Sequence, residues 1–284
     1  MGRMIIASRN HADDAGFSGG AWSAALPAAN LADRQLARVA RSLDTDPADT
    51  WVVVDFGRQV PVSFIALWRH NLTQSARWRL RLGRDSALAT WDHDTGLRDV
   101  WPDVMPFGAG EWGEFQWGGK LVPAEAATYG IAAFHLPPNS IMARWLRVDL
   151  DDPENPAGYL QAARLFAGPV WRPSINMQYG WSIRQVDESR RTRSRGGQSY
   201  VDLVPRYRRL SFALDHLGAD EMFANAYELD RLKGVAGDLI VIPDPDERRH
   251  LHRQAILGAL AETSAIEQRV FGLYAKTFTV EELL

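Results

Sequence analysis

Residues 51–72, WVVVDFGRQVPVSFIALWRHNL, constrain the fold of this chain more than any other stretch. β-Branched and aromatic residues fill positions 51–56, Gly57 follows, and a second apolar run ends at Trp68. Such residues favour strands, so the pattern predicts two adjacent strands with a break at Gly57. Because the apolarity is continuous, we expect both strands in the middle of a sheet covered on both faces, with Asp55 capping a turn.

Two stretches supply candidate ligand-binding residues. Three polar residues follow the second strand and share one loop, a common location for recognition. Residues 87–119 contain irregularly spaced Gly and Pro, several Asp and four Trp, which predicts a long loop or loose hairpins. The candidates are Arg69, His70, Asn71, Trp91, Asp92, Trp101, Trp112 and Trp117. Aromatic rings stack on sugars, but Trp is more often buried in the core, and both interpretations stay open.

Composition limits the possible partners. The chain has 284 residues, 24% charged residues and a formal net charge of -3, so no basic field attracts it to nucleic acid. It has no Cys, which excludes disulfides and thiolate metal sites. No run approaches the roughly 20 apolar residues of a membrane span, and the N-terminus lacks the apolar core of a signal peptide. We therefore expect neither a membrane span nor secretion by the usual signal.

The order of several phrases in the first half points to a known fold. PAANLAD at 27–33, ARVARS, WVVVDFG, VSFIALWRHNL, ARWLRVDL and YLQAARLFAG follow one another between residues 20 and 168. This series resembles the galactose-binding-like jelly roll of discoidin modules, in the variant found in bacteriophage tail proteins. The resemblance implies a jelly-roll domain over residues 1–170, whose role is either sugar binding or packing against neighbouring proteins.

The second half predicts a long hairpin followed by a single helix. Strand patterns at 177–186 and 200–214 flank ESRRTRSRGGQ, whose two Gly suit a turn. The hairpin end is either a mobile, solvated tip or a clamp on an acidic neighbouring subunit, because Arg is enriched at interfaces. The candidate interface residues are Arg190, Arg191, Arg193 and Arg195. Apolar residues at helical spacing predict a helix at 218–233, which Gly234 ends.

The second half also carries a resemblance. RRLSFALDHLGADEMFANAYELDRLKG, GDLIVIPDP, ILGAL and FGLYAKTFTVEEL are similar to the β-sandwich of distal tail and tail-tip proteins of long-tailed phages. The resemblance implies an all-β chain of two β-sandwich domains, 1–170 and 171–284. It further implies a homo-oligomeric ring around the tail axis, with the tail tube and hub as partners. Such a protein is assembled in the host cytoplasm and resides in the virion tail.

The search for catalytic or metal chemistry is negative. His250 and His252 lie two apart on a predicted strand, yet no third metal ligand accompanies them. Asp92 and Asp94 flank His93, and an acidic turn at 151–154 has the character of a calcium loop, but solvated loop carboxylates are the preferred interpretation of both. The sequence places no acid/base pair and no nucleophile motif. We expect no enzymatic activity, no cofactor and no metal.

Three functions remain for comparison. The first, which we prefer, is a structural subunit of a tail tip or baseplate in a phage or phage-like particle, with possible contact to host-surface glycans. The second is a carbohydrate-binding adhesion protein that recognises host polysaccharide through the Trp-rich loop. The third, a carbohydrate-active enzyme, is disfavoured by the missing acid/base pair.

Overall fold

The computed structural model describes residues 2–85, 87–104, 119–121 and 133–284 and divides the chain into two compact units. Unit 1 comprises Met1–Ser8, Trp171–Pro245 and Gln254–Leu284, and unit 2 comprises Arg9–Val170 and Asp246–Arg253. The chain passes from unit 2 to unit 1 after Val170, and the N-terminal segment up to Ser8 belongs to unit 1. The domain limits 1–170 and 171–284 stay a prediction.

Strands dominate both units, and the all-β class is confirmed. In chain order they are β1 (Ile5–Ala7), β2 (Gly16–Ser18), β3 (Ala40–Arg41), β4 (Trp51–Val62), β5 (Phe64–Trp68), β6 (Arg77–Gly83), β7 (His93–Asp94), β8 (Arg98–Asp99), β9 (Ala133–His135), β10 (Ile141–Asp151), β11 (Gln161–Ala162), β12 (Arg164–Gly168), β13 (Ser182–Val186), β14 (Arg190–Arg193), β15 (Ser199–Asp202), β16 (Tyr207–Gly218), β17 (Asp238–Ile242), β18 (Ile256–Leu260), β19 (Glu267–Val270) and β20 (Leu273–Glu282).

Helices are few and short. A 3₁₀ turn covers Ala28–Ala32; α1 runs through Ala219–Glu221, the π-helical Met222–Tyr227 and Glu228–Lys233; and α2 is Leu251–Gln254. The helix predicted from its apolar spacing is therefore confirmed as α1. The strand predicted for His250 and His252 is wrong, because His252 lies in α2. Among the described residues no helix is both long and apolar enough to cross a bilayer.

Unit 2 is a β-sandwich. Its larger sheet has the order β2-β4-β10-β6-β7, with β8 also on β6, and its smaller sheet has the order β12-β5-β9. Inward residues of both sheets share one core, for example Val54 and Leu146 from the larger sheet and Leu67 and Leu165 from the smaller. Alternate residues of β10 and β6 point outward, as strand geometry requires.

Residues 51–72 span both layers of this sandwich. The predicted break at Gly57 is wrong, because β4 continues to Val62 and the chain leaves the strand at Ser63. Gly57 has a φ of 71°, which only glycine adopts at low cost, and the ladder to β10 is irregular nearby. The strands before and after Ser63 consequently lie in different sheets. The capping role of Asp55 is confirmed, since its Oδ1 accepts from the Gly57 amide at 2.8 Å.

A buried ion pair fixes the N-terminal segment of unit 2 to β12. Arg164 is 1% exposed and donates through Nη1 to the Ala32 carbonyl and through Nη2 to Asp13 Oδ1 at 2.6 Å. Asn10 donates to the same carboxylate at 2.6 Å and to the Leu165 carbonyl at 3.0 Å. A cation buried this deeply requires its partners, so this contact is a structural element rather than a surface pair.

Unit 1 is built on one seven-stranded antiparallel sheet, β1-β17-β18-β20-β16-β13, with β19 also on β20. Helix α1 contributes Met222, Ala226 and Leu229 to the core that covers the inner face. The apolar layer over the inner face of the sheet therefore includes α1, in agreement with the predicted single helix on a sheet. The N-terminal strand β1 pairs with β17 at the end of this sheet.

Candidate functional sites

The loop after β5 is held in place by backbone contacts rather than left open for a ligand. Arg69 has a φ of 51°, and the chain turns sharply after the strand. Asn71 Oδ1 accepts from the Gln161 amide at 2.8 Å, and its Nδ2 donates to the Tyr159 carbonyl at 2.9 Å. Because both ends of the amide are engaged, Asn71 ties this loop to the segment before β11, which is a structural role.

His70 lies against the core. Both ring nitrogens are buried, and neither has a hydrogen-bond partner in the described part of the chain. Its ring meets the ring of Trp101 edge on, with centroids 6.1 Å apart. Trp101 is 6% exposed and donates through Nε1 to the Leu72 carbonyl at 3.0 Å. The polar groups of His70 and Trp101 are therefore buried or already hydrogen-bonded, so neither residue presents one to a ligand at the surface.

Burial of the ring nitrogens gives His70 a pH-dependent effect on stability. Desolvation lowers the pKa of His70 to about 4, although the charge of Asp152 raises it slightly. An unfolded His takes up its proton near pH 6.5, so between pH 6.5 and 4 the unfolded chain binds more protons. The contribution of His70 to stability is complete above pH 6.5 and is lost as the pH falls toward 4.

We expect His70→Phe to reduce the acid sensitivity of unit 2. Phe preserves the ring packing and has no nitrogen to protonate, so the loss of unfolding free energy between pH 7 and 5 decreases by about 2 kcal/mol. Urea unfolding followed by Trp fluorescence at both pH values measures this difference. Equal pH dependence in the wild type and the variant would show that His70 is not the group responsible.

Trp91 and Asp92 remain at the surface beside β6. The Trp91 ring lies over Gly83, where an added Cβ would come within 3.2 Å of the ring. The Arg81 guanidinium lies 5.2 Å from the centroid of the same ring. Asp92 accepts from Arg84 at 2.7 and 3.1 Å, and this contact lowers the pKa of its carboxyl. Trp91 is partly exposed and lies next to the Asp92–Arg84 pair.

A histidine pair lies next to this surface. His93 Nε2 is 3.0 Å from His135 Nε2, and the rings stack with centroids 5.3 Å apart. Arg98 donates to His135 Nδ1 at 3.2 Å, so His135 carries its proton on Nε2 and donates to His93. Burial, followed by the charges of Arg98 and His93, lowers the pKa of His135 to about 4. In the neutral pair, His135 donates a hydrogen bond to His93. The spacing of these residues in the sequence did not indicate that His93 and His135 would be in contact.

The remaining predicted acidic and metal features serve structural roles. Asp152 is buried and accepts from the Thr73 amide at 2.8 Å, the Thr73 hydroxyl at 2.6 Å and Asn155 at 2.8 Å. Asp151 pairs with Arg77 at 2.6 Å. No group of three or more His, Cys, Asp or Glu in the described part of the chain is arranged to hold a metal ion. Trp112 and Trp117 lie outside the described residues.

The second candidate site is the hairpin that carries the arginines, residues 187–206, here called the arm. Its strands β14 and β15 pair only with each other, in the register Arg191↔Val201 and Arg193↔Ser199. At the tip, Ser194 and Gln198 exchange hydrogen bonds and Gly197 has a φ of 83°. At its base, Arg206 donates to Asp187 at 2.8 Å. The predicted long hairpin is confirmed, with β13 and β16 as its inner part.

Every residue of the arm from position 190 to 206 is exposed. The exposed set includes four apolar side chains: Tyr200 (55%), Val201 (48%), Leu203 (78%) and Val204 (40%). Arg190, Arg191, Arg193 and Arg195 make no ion pair within the described residues, and no acidic residue occurs between positions 189 and 201. The arm is thus a basic, partly apolar hairpin whose side chains are exposed to solvent.

Sequence comparison gives no relatives. No family model matches the chain, and no curated protein matches its sequence.

Several solved structures share part of the fold. A carbohydrate-binding module, CBM32-1 from a family 31 glycoside hydrolase of Clostridium perfringens, is 14% identical with a TM-score of 0.35 over 57% of this chain and 99% of its own. A family 32 module from C. perfringens NanJ in complex with galactose is 11% identical, with a TM-score of 0.37 over 58% and 99%. A Streptococcus pneumoniae fucose-binding module is 12% identical, with a TM-score of 0.36 over 57% and 95%. At these values the neighbours assign this chain neither a family nor a function.

Proposed function

We propose that this protein is a structural, non-enzymatic subunit of a multi-protein assembly, and that the arm joins it to a neighbouring subunit. The observation that carries the proposal is the complete exposure of residues 190–206, including Leu203 at 78%. A two-stranded hairpin alone in water is marginally stable, and exposed apolar clusters mark interaction sites. A neighbouring subunit would cover these side chains and pair with the free strand edges.

The charge of the arm indicates the kind of surface that receives it. The guanidinium groups of Arg191, Arg193 and Arg195 have no acidic residue opposite them in the hairpin, whereas Arg190 lies opposite Asp202. These groups fit carboxylates on the neighbouring subunit, which Arg binds through two parallel hydrogen bonds. The chain has a net charge of -3 despite these arginines, so the rest of its surface is acidic on balance. A second copy of the chain therefore suits the arm, and we propose a homo-oligomer.

The phage-like phrases of both halves make a tail tip or baseplate the assembly that we propose. In such an assembly the tail tube and hub would be further partners, and the subunit would reside in the tail of the virion. Sedimentation velocity of the purified chain over a concentration series tests self-assembly. We expect an oligomer whose fraction rises with concentration; a monomer at every concentration would contradict the homo-oligomeric proposal.

Glycan binding by unit 2 is a second candidate function. The specific observation in its favour is the partly exposed Trp91 beside the Asp92–Arg84 pair, since sugar sites combine an aromatic ring with planar hydrogen-bonding groups. Of the modules named above, one is in complex with galactose and one is a fucose-binding module, and these sugars are natural first probes.

We expect glycan binding, if unit 2 performs it, to depend on Trp91. Replacing the ring by Ala removes one stacking surface, and Trp91→Ala would weaken binding about ten-fold, which corresponds to roughly 1.4 kcal/mol. A host-polysaccharide screen with galactose and fucose measures this, and Leu97→Ala, at another exposed position near β8, serves as the control. No binding by the wild type at high sugar concentration would remove the glycan function.

A further inference from the structure

A polar groove of about 570 Å³ crosses the outer face of the unit 1 sheet. Strands β13, β16 and β20 form its floor with Ser182, Arg184, Arg209, Ser211, Thr279 and Glu281. The alternate residues of β16 and β20, such as Leu210, Phe212 and Val280, are buried in the core on the opposite face. The groove therefore lies on the face of the sheet that α1 does not cover, and its volume is typical of a small-molecule site.

Strand register arranges the groove into two rows of chemically distinct groups. Ser182 pairs with Ser211, which pairs with Thr279, so three hydroxyls lie in one row. Ser211 Oγ and Thr279 Oγ1 are 3.3 Å apart. The next row contains Arg184, Arg209 and Glu281 in the same order. A ligand across the sheet would meet hydroxyl groups along one side and charged groups along the other.

The two arginines of the second row differ in their partners. Arg209 donates through Nη2 to Glu281, while its Nε is buried and has no acceptor in the described part of the chain. Arg184 makes no ion pair within the same residues, although it lines the groove. Its guanidinium therefore offers a fork of donors beside three hydroxyls. Glu262 also lines the groove, and its carboxylate is able to accept hydrogen bonds from hydroxyl donors of a ligand.

From this arrangement we propose that the groove binds a carboxylate-bearing sugar of the uronic acid class. Arg184 binds the carboxylate through its planar fork, and Ser182, Ser211 and Thr279 exchange hydrogen bonds with the sugar hydroxyls. The polar lining gives an apolar ligand little to pack against. This site is separate from Trp91 and from the arm, so it neither requires nor excludes the functions proposed above.

Saturation-transfer difference NMR on the full chain tests this proposal with glucuronate as the probe. We expect saturable binding of glucuronate. Glucose should bind at least ten-fold more weakly because it lacks the carboxylate, and acetate should do so because it lacks the sugar hydroxyls. Arg184→Gln should weaken glucuronate binding about ten-fold. The variant should fold normally because Arg184 is an exposed residue of an edge strand. Arg172→Gln, at an exposed arginine of unit 1 that lies outside both the groove and the arm, is the matched control and should leave the affinity unchanged.

A second variant separates the hydroxyl row from simple charge attraction. Thr279→Val keeps the shape of the side chain and removes its hydroxyl, so glucuronate binding should weaken several-fold while acetate binding stays the same. The proposal is overturned if Arg184→Gln and Arg172→Gln behave alike, or if glucuronate does not bind. It is also overturned if a short glutamate peptide binds the groove more tightly than glucuronate, which would make the site a protein contact.

Discussion

Replacement of residues 188–205 by an Asn-Gly turn is expected to abolish self-association while leaving the fold of unit 1 intact. The strands of the arm pair only with each other, so their removal breaks no ladder of the seven-stranded sheet. The same change removes Leu203, Tyr200 and the four arginines of the tip from the interface. In sedimentation velocity the variant should remain monomeric at concentrations where the wild type is oligomeric, with an unchanged circular dichroism spectrum.

Two narrower variants divide the effect between charge and apolar contact. Simultaneous replacement of the four arginines by Gln should weaken association at least ten-fold and remove most of its salt dependence. The replaced residues are Arg190, Arg191, Arg193 and Arg195. Leu203→Ser should weaken association several-fold without changing the salt dependence. If both variants associate like the wild type, the arm is not the contact, and its exposure reflects only a solvated hairpin.

The largest effect on stability is expected for Arg164→Met. The substitution keeps an unbranched apolar stem but removes the guanidinium, so the Asp13 carboxylate and the Ala32 carbonyl lose the cation that they share. Breaking a buried pair by removing one partner destabilises by about 3–5 kcal/mol. Urea unfolding monitored by circular dichroism should show this loss for unit 2.

The same carboxylate provides a matched control. Arg34 lies 3.9 Å from Asp13 with a side chain that is 53% exposed, and such surface pairs contribute less than about 1 kcal/mol. Arg34→Met should therefore change the unfolding free energy by no more than that amount. Equal losses in the two variants would mean that burial does not determine the strength of these contacts.

Features coded by neighbouring residues were predictable from the sequence. The apolar spacing of Met222, Ala226 and Leu229 predicted α1, and the continuous apolarity of 64–68 predicted a strand buried on both faces, as β5 is. The glycine between two apolar runs wrongly indicated the end of a strand at Gly57, because a β-bulge and a turn between two strands have the same local sequence pattern. Only the pairing partner on β10 distinguishes the two.

Features that depend on distant pairing were not predictable. His93 meets His135 across 42 positions, and the hydroxyl row of the groove joins three separate strands. The sequence of one strand does not identify the residues that lie beside it on neighbouring strands. His70 was predicted as a ligand residue because it follows a strand, whereas the chain turn at Arg69 leaves its nitrogens buried. The polarity of neighbouring residues does not show which side of a turn packs against the rest of the domain.

The central claim is that this protein is a subunit of a particle, and imaging of particles from cells carrying the gene tests it most directly. Gold-labelled antibody against unit 2 would be applied to purified particles and viewed by electron microscopy. Our account predicts label at the distal end of a phage-like tail, and no label there when the arm has been replaced. Particles without label, together with free protein in the lysate, would contradict it and leave glycan binding as the function to pursue.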